Sequence, residues 1–161
     1  MLPISTVTSA FVNMILTFLV VFAVVIVAGR SINPLALLCL PVVMMVEYIL
    51  CLGIALIVSS ITVYLRDLQY ILGIFVMALQ YMTPVMYGVD MVERSGAGKW
   101  LILIFNLNPM TPIIKIYRQI IYYGEVPELS SLLIAVVVGV VFIVVGEILF
   151  KKLQKGFAEE F

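Results

Sequence analysis

The chain has 161 residues; 65% are hydrophobic, only 11% are charged, and the formal net charge is zero. A soluble domain carries roughly 25% charged residues, and so few charges cannot cover this much apolar surface, so composition alone makes the chain an integral membrane protein. There is no basic stripe of the kind nucleic acid requires, and the absence of histidine removes the commonest general base and metal ligand.

Thr8 to Ala28 reads as the first span. At 1.5 Å per residue it reaches ~31 Å, which matches a hydrocarbon core of ~30 Å. Asn13 and Thr17 share one face of it and are expected to pack against a neighbouring helix. Gly29 to Pro34 is turn punctuation. The apolar run that follows, Leu35 to Val63, is too long for one span at ~43 Å. Proline suits the first turn of a helix, so the span is placed from Pro41 to Val63, with Leu35 to Leu40 at the interface or in a short separate turn. Cys39 and Cys51 show no metal or redox spacing and read as small apolar residues of a helix. Glu47 then lies roughly 9 Å inside the span. An intramembrane carboxylate is a functional candidate; the plainer expectation is that it reaches the interface or pairs with a basic residue.

Tyr64 to Leu68 is a tight charged break carrying Arg66 and Asp67. Leu68 to Tyr87 is the third span, with Pro84 near its far end, and Gly88 to Lys99 is a polar loop. Trp100 to Leu107 is apolar but far too short to cross. Asn108 then reads as an N-cap, Pro109 as the first helical position and Gly124 as the residue just past the end, with Thr111-Pro112 as an alternative start. On this helix Lys115, Arg118, Gln119 and Tyr122 make a polar face, and Ile113, Ile116, Tyr117, Ile120 and Ile121 an apolar one. Two short apolar pieces broken at Asn-Pro predict a re-entrant hairpin over 100–123; an amphipathic helix lying flat on the membrane is the alternative. Leu129 to Phe150 is the last span, with Glu147 beside Lys151 and Lys152. The fold class is therefore an all-α integral membrane protein in one domain, 1–161, with four transmembrane helices (8–28, 41–63, 68–87, 129–150) and a re-entrant helical hairpin before the last span.

Lys151, Lys152 and Lys155 place the C-terminus in the cytoplasm by the positive-inside rule. Four spans then put the N-terminus and the Arg66-Asp67 break inside as well, although Arg30, Arg94, Lys99, Lys115 and Arg118 fall on the other side. No Gly-rich phosphate loop ending in Lys-Ser/Thr is present, so any ATP hydrolysis would have to be supplied by a partner. A membrane acyl or glycosyl transferase needs converging histidine or paired carboxylates; here Glu47, Asp67, Asp90 and Glu125 fall at different depths.

Arg66-Asp67, Thr83-Pro84-Val85-Met86-Tyr87, Leu107-Asn108-Pro109-Met110, and Tyr117-Arg118 followed by Gly124 and Pro127 form an ordered series. The series resembles the permease subunits of type-2 ATP-binding-cassette exporters, and within them the branch that exports polysaccharide, O-antigen and teichoic acid. The resemblance covers nearly the whole chain. It implies a permease moving a lipid-linked polysaccharide across a bacterial or archaeal plasma membrane, as a homodimer surrounded by membrane lipids. It also implies a partner ATPase subunit that supplies ATP and Mg, with no cofactor on this chain. Drug or small-lipid export by a similar architecture is the alternative. Members of that family carry an interface helix, two further spans and a coupling helix before the region matched here. The expectation is accordingly a chain that covers the last four of six spans, through truncation, a misassigned start, or as a non-transporting remnant.

On this resemblance 100–123 is the outward gate hairpin, with Asn108 and Pro109 at its break. Tyr70, Phe75, Tyr81, Tyr87, Tyr117 and Tyr122 are candidates for the substrate path, since aromatic rings stack on apolar sugar faces, or for interface belt and packing. Lys115 and Arg118 are candidates for a glycan-linked phosphate or a lipid headgroup. Arg66 and Asp67 either cap the cytoplasmic turn, the favoured role, or couple ATPase closure to the spans.

Overall fold

The computed structural model describes residues 2–27, 33–64, 67–83 and 108–157. They form α1 (Leu2–Val27), α2 (Pro34–Tyr64), α3 (Leu68–Met82), α4 (Met110–Arg118) with a π-helical turn (Gln119–Tyr123) continuing it, and α5 (Leu129–Phe157); there is no strand among the described residues. α1, α2 and α5 are each long and apolar enough to cross a membrane, while α3 is a shorter apolar helix. Arg66, Tyr87 and the first limb of the predicted hairpin, 100–107, lie outside the described residues.

Several helix ends differ from the sequence expectation, each for a local reason. α1 begins at Leu2, ahead of Thr8, because Pro3 in its first turn forfeits no intrahelical bond. Thr8 is absorbed by bonding its hydroxyl to the Ile4 carbonyl at 2.8 Å. α2 begins at Pro34, ahead of Pro41. The Asn33 side chain accepts the Leu35 N–H at 3.1 Å and the Asn33 carbonyl accepts the Leu37 N–H at 3.1 Å, so the helix starts properly capped. Residues 35–40 are thus part of α2 and not a separate turn; Ala36 and Leu40 are buried in the core. Pro41 inside the helix removes a single backbone bond, a loss that membrane helices tolerate where neighbours cover the site. α3 stops at Met82, ahead of Tyr87, because Thr83 precedes a proline and turns to extended backbone (φ −88°, ψ 129°). α5 runs on to Phe157, past Phe150, with Lys151 paired to Glu147 at 3.2 Å. Asn13 and Thr17 do not bond to a neighbouring helix through this pair: the Thr17 hydroxyl donates to the Asn13 carbonyl of its own helix at 3.0 Å.

The frame of the bundle is the pair α2 and α5, the most extensive helix contact. A Cβ on Gly53 would lie 2.5 Å from the Phe142 carbonyl carbon and 2.6 Å from the Ile143 nitrogen. A Cβ on Gly146 would lie 2.7 Å from the Gly53 carbonyl oxygen. Lipid tails are as apolar as leucine, so membrane helices associate through close packing, and small residues allow it. Going up the pair, Gly139 meets Val46 and Leu50, Phe142 meets Gly53, and Gly146 meets Gly53 and Leu56. Both numberings rise together, so the two helices run parallel.

α1 lies against α2 along a half-buried stripe, Val7, Phe11 and Met14, which faces Glu47, Tyr48 and Cys51. Its four-three alternation is the spacing of a coiled-coil seam. Thr8 and Tyr48 share a hydroxyl hydrogen bond at 2.9 Å, and the Phe11 and Tyr48 rings lie 4.8 Å apart. The opposite face of α1 presents Leu16, Leu19, Val20 and Val24 outward, the side a bilayer would cover. α4 wedges against both α2 and α5.

Replacing Gly53 with alanine forces backbone apart from backbone and is expected to destabilise the bundle by about 1–3 kcal/mol. A methyl added at Gly73, on α3, would meet nothing within 4 Å, so Gly73→Ala should leave stability unchanged or slightly raised. Reversible unfolding of the two variants in mixed detergent micelles, compared with the wild type, measures both.

Candidate functional site

The polar chemistry of the interior gathers around α4. Ile113, Ile116 and Ile120 recur at helical spacing and are almost wholly buried, so the apolar face faces the core as its periodicity predicts. Lys115 is exposed and Arg118 half-buried on the other side. The helix has basic residues in its last turn. It passes into the π turn and ends at Gly124, whose φ of 66° is the left-handed conformation that glycine adopts without strain. The Gln119 carbonyl accepts the N–H groups of both Gly124 and Glu125, closing the end. Periodicity puts Gln119 on the polar face; instead its Oε1 is buried without a hydrogen-bond partner. The wider step of a π turn shifts side-chain directions away from the simple 3.6-residue count.

Two side-chain links hold this helix in place. At its start the Asn108 Oδ1 accepts the Met110 N–H at 3.0 Å, and the Asn108 carbonyl accepts the Thr111 N–H at 3.1 Å. Pro109 has helical backbone angles (φ −63°, ψ −21°), as a proline at the first helical position should. The Asn108 Nδ2 donates to the Thr83 hydroxyl at 2.8 Å, and that hydroxyl donates to the Leu79 carbonyl at 2.6 Å. Asn108 is 6% exposed and Thr83 8%, so a dry chain of bonds joins the end of α3 to the start of α4. At the middle of α4 the Tyr117 hydroxyl donates to Glu47 Oε2 at 2.6 Å, and the Tyr117 ring tilts against Phe18 at 5.1 Å. Glu47 pairs with no basic residue among the described ones; its partner is the phenol of α4.

Thr83 and Asn108 both belong to the motifs singled out in the sequence, and the structure brings these motifs into contact across 25 residues. Glu47 and Tyr117 meet across 70 residues; nothing in their spacing announces it. The other described candidates lie on α3 and on α4 with its π turn. Tyr70, Phe75 and Tyr81 are exposed on α3, which touches α2 only lightly. Tyr122 is exposed with its ring edge-on to Tyr123 at 5.0 Å. Asp67 stands at the start of α3, where its carbonyl accepts the Tyr70 N–H at 3.2 Å, but its carboxylate makes no capping bond. No group of three or more His, Cys, Asp and Glu side chains able to hold a metal occurs among the described residues.

These features define a multi-pass helical membrane protein in which a short polar-faced helix is seated on the bundle by side-chain bonds. The chain belongs to the ABC-2 type transporter family, whose match covers residues 2–122. Over 158 residues it is 27% identical to an O-antigen export system permease protein RfbA of Klebsiella pneumoniae, covering 98% of this chain and 59% of that protein. A second RfbA protein of the same organism is 25% identical over the same share of both chains. The chain thus spans about three-fifths of the length of the curated relatives it matches. No solved structure matches it.

Asn108→Leu removes both the cap and the bond to Thr83, and should cost about 2 kcal/mol; Thr83→Val should cost about 1 kcal/mol. Because they break one shared link, the double variant should fall short of the sum by about 0.5 kcal/mol or more, as coupled pairs do, again read by unfolding in detergent. Tyr117→Phe leaves a carboxylate without its donor and should destabilise more than Tyr117→Phe combined with Glu47→Leu, since an orphaned charged group costs more than an apolar replacement of both partners.

Proposed function

We propose that the chain forms the membrane pathway of an ATP-binding-cassette exporter that moves a lipid-linked polysaccharide outward. Two copies build the pathway, and a separate ATPase subunit binds ATP and Mg and drives it. The observation that carries this reading is the match to O-antigen export permeases along 98% of the chain. The Thr83–Asn108 link supports it, because it makes a single mechanical joint of the two motifs most typical of that resemblance.

In this reading the chain crosses the bilayer four times, with the C-terminus in the cytoplasm. The parallel course of α2 and α5 supports the count, since the segment between them has to return once. α3 is the returning helix: it starts just after α2 ends, and Thr83 beyond it bonds to Asn108, which lies beside Ser131 near the start of α5. Asn108 to Tyr123 is the inner limb of a re-entrant gate at the outer side. The Arg66-Asp67 turn lies on the cytoplasmic side, within reach of the ATPase. The exposed rings Tyr70, Phe75 and Tyr81 offer stacking surfaces to sugar, in line with the weak, repeated contacts a passing polymer needs.

A tagged chain co-expressed with the ATPase subunit of a polysaccharide exporter is expected to co-purify with it in detergent. Export of lipid-linked glycan, scored by surface labelling of cells, is expected to fall several-fold when Tyr70 and Tyr81 are both replaced by alanine, while ATPase association persists, because each stacking contact contributes about 0.5–1.5 kcal/mol. Failure to associate with any such ATPase when expressed within the full exporter rules the transport reading out. Association with export unchanged in the double variant removes the aromatic path and leaves the permease.

A further inference from the structure

Between α4 and α5 lies a cavity of about 400 Å³, within the size range of sites that take small ligands. None of the side-chain links described above needs it to exist. Its lining is ordered along one direction. Lys115 and Thr111 of α4 and Ser131 of α5 line it, and Ile134, Val138 and Phe142 continue from Ser131 down a single face of α5. Ser131 lies in the first turn of α5, and the stretch from Ile134 to Phe142 descends about 12 Å from there. Ser131 therefore sits where the helix begins, and an apolar strip runs from it towards the middle of the helix, with Lys115 and Thr111 across the cavity on α4.

Two of the polar groups are uncommitted. The Lys115 ammonium is exposed and has no ion pair among the described residues. Ser131 is 7% exposed, lines the cavity, and its hydroxyl makes no hydrogen bond among the described residues. The Ser131 hydroxyl is open to a ligand in the cavity, and a cation near a bilayer surface attracts anionic headgroups. The strip opens on the exposed flank of α5, where Leu133, Ile134 and Val137 face outward, so a ligand enters from the surrounding lipid and not through the bundle core.

We propose that this cavity is a binding site for an anionic phospholipid of the bilayer, with its phosphodiester between Lys115 and Ser131 and an acyl chain along Ile134, Val138 and Phe142. One cation with one free hydroxyl matches a single negative charge, which distinguishes the site from one built for a diphosphate carrier. Phosphate contact at Lys115 is charge-assisted and directional, whereas the strip supplies the affinity for the chain. The bound lipid fills the gap between the gate helix and α5 and so braces the side of α4 opposite Glu47. The assignment does not rest on the transport reading; a chain that never meets an ATPase still has this site.

The test is native mass spectrometry of the full chain in mild detergent, titrated with phosphatidylglycerol and, separately, with diacylglycerol bearing the same chains. One phosphatidylglycerol per chain is expected to be retained, and diacylglycerol is not. Lys115→Gln should weaken retention on the order of tenfold, and Lys115→Arg should preserve it. Val138→Trp and, independently, Ile134→Trp should abolish it by filling the strip, each with its unfolding midpoint checked against the wild type. Lys152→Gln, at the other end of α5, should leave it unchanged. Equal retention of diacylglycerol overturns the phosphate assignment. Unchanged retention in Lys115→Gln and in a folded tryptophan variant overturns the site. Stronger binding of a polyprenyl diphosphate than of phosphatidylglycerol overturns the choice of lipid.

Discussion

The bundle depends on one close approach, that of α2 and α5 at Gly53 and Gly146. Within a bilayer there is no hydrophobic gain from pressing one apolar helix against another. The contact must come from dispersion between well-fitted surfaces, and its strength falls steeply with separation. Backbone-to-backbone packing at Gly53, where even one methyl would collide with Phe142 and Ile143, gives the tightest fit available. Everything else is positioned relative to this pair: α1 lies along α2, α4 wedges against both helices, and the parallel direction of the two obliges the intervening chain to come back.

Onto that frame α4 is held by bonds of a different kind. Its isoleucines are buried as an amphipathic helix requires, yet apolar packing in a membrane sets neither register nor depth with much precision. The Asn108–Thr83 bond and the Tyr117–Glu47 bond do, because a buried polar group left unpaired is costly. Each link joins α4 to a different helix, α3 at its start and α2 at its middle. A helix held this way has two discrete fastenings, so its position is tied to α3 and α2 by short bonds as well as by a deformable apolar surface. On the opposite flank of α4, at the Lys115 cavity, a bound lipid would add to this support.

Much of the fold was legible in the residues. Composition identified a membrane protein, and of the four spans read from the apolar runs three are helices long and apolar enough to cross. Asn108, Pro109 and Gly124 marked both ends of α4 with its π turn through elementary capping rules, and the isoleucine periodicity named its buried face. The helix boundaries were less legible. Pro41 looked like a start and Leu35 to Leu40 like a separate piece, because length was judged against bilayer thickness. In the structure Asn33 caps an earlier turn, and burial of Ala36 and Leu40 rewards continuing the helix through the proline. Pro84 looked compatible with a longer α3, but its steric demand on Thr83 ended the helix one residue before the proline's own neighbour. Gln119 was misplaced because a π turn is not written in hydrophobic periodicity.

By itself, then, the sequence determined the solvent of this protein, the approximate segments that lie in it, the amphipathic character of α4 and the motif series that resembles exporter permeases. These are properties of local composition and spacing, which act over a few turns of helix. Tertiary structure alone decided which polar groups meet. Glu47 finds Tyr117 across 70 residues and Asn108 finds Thr83 across 25. Each partner is chosen by the parallel packing of α2 with α5, which brings distant segments to the same depth. The physical reason is that a hydrogen bond is read in ångströms of space, and in this chain the ångströms are set by glycines that carry no polar signal of their own.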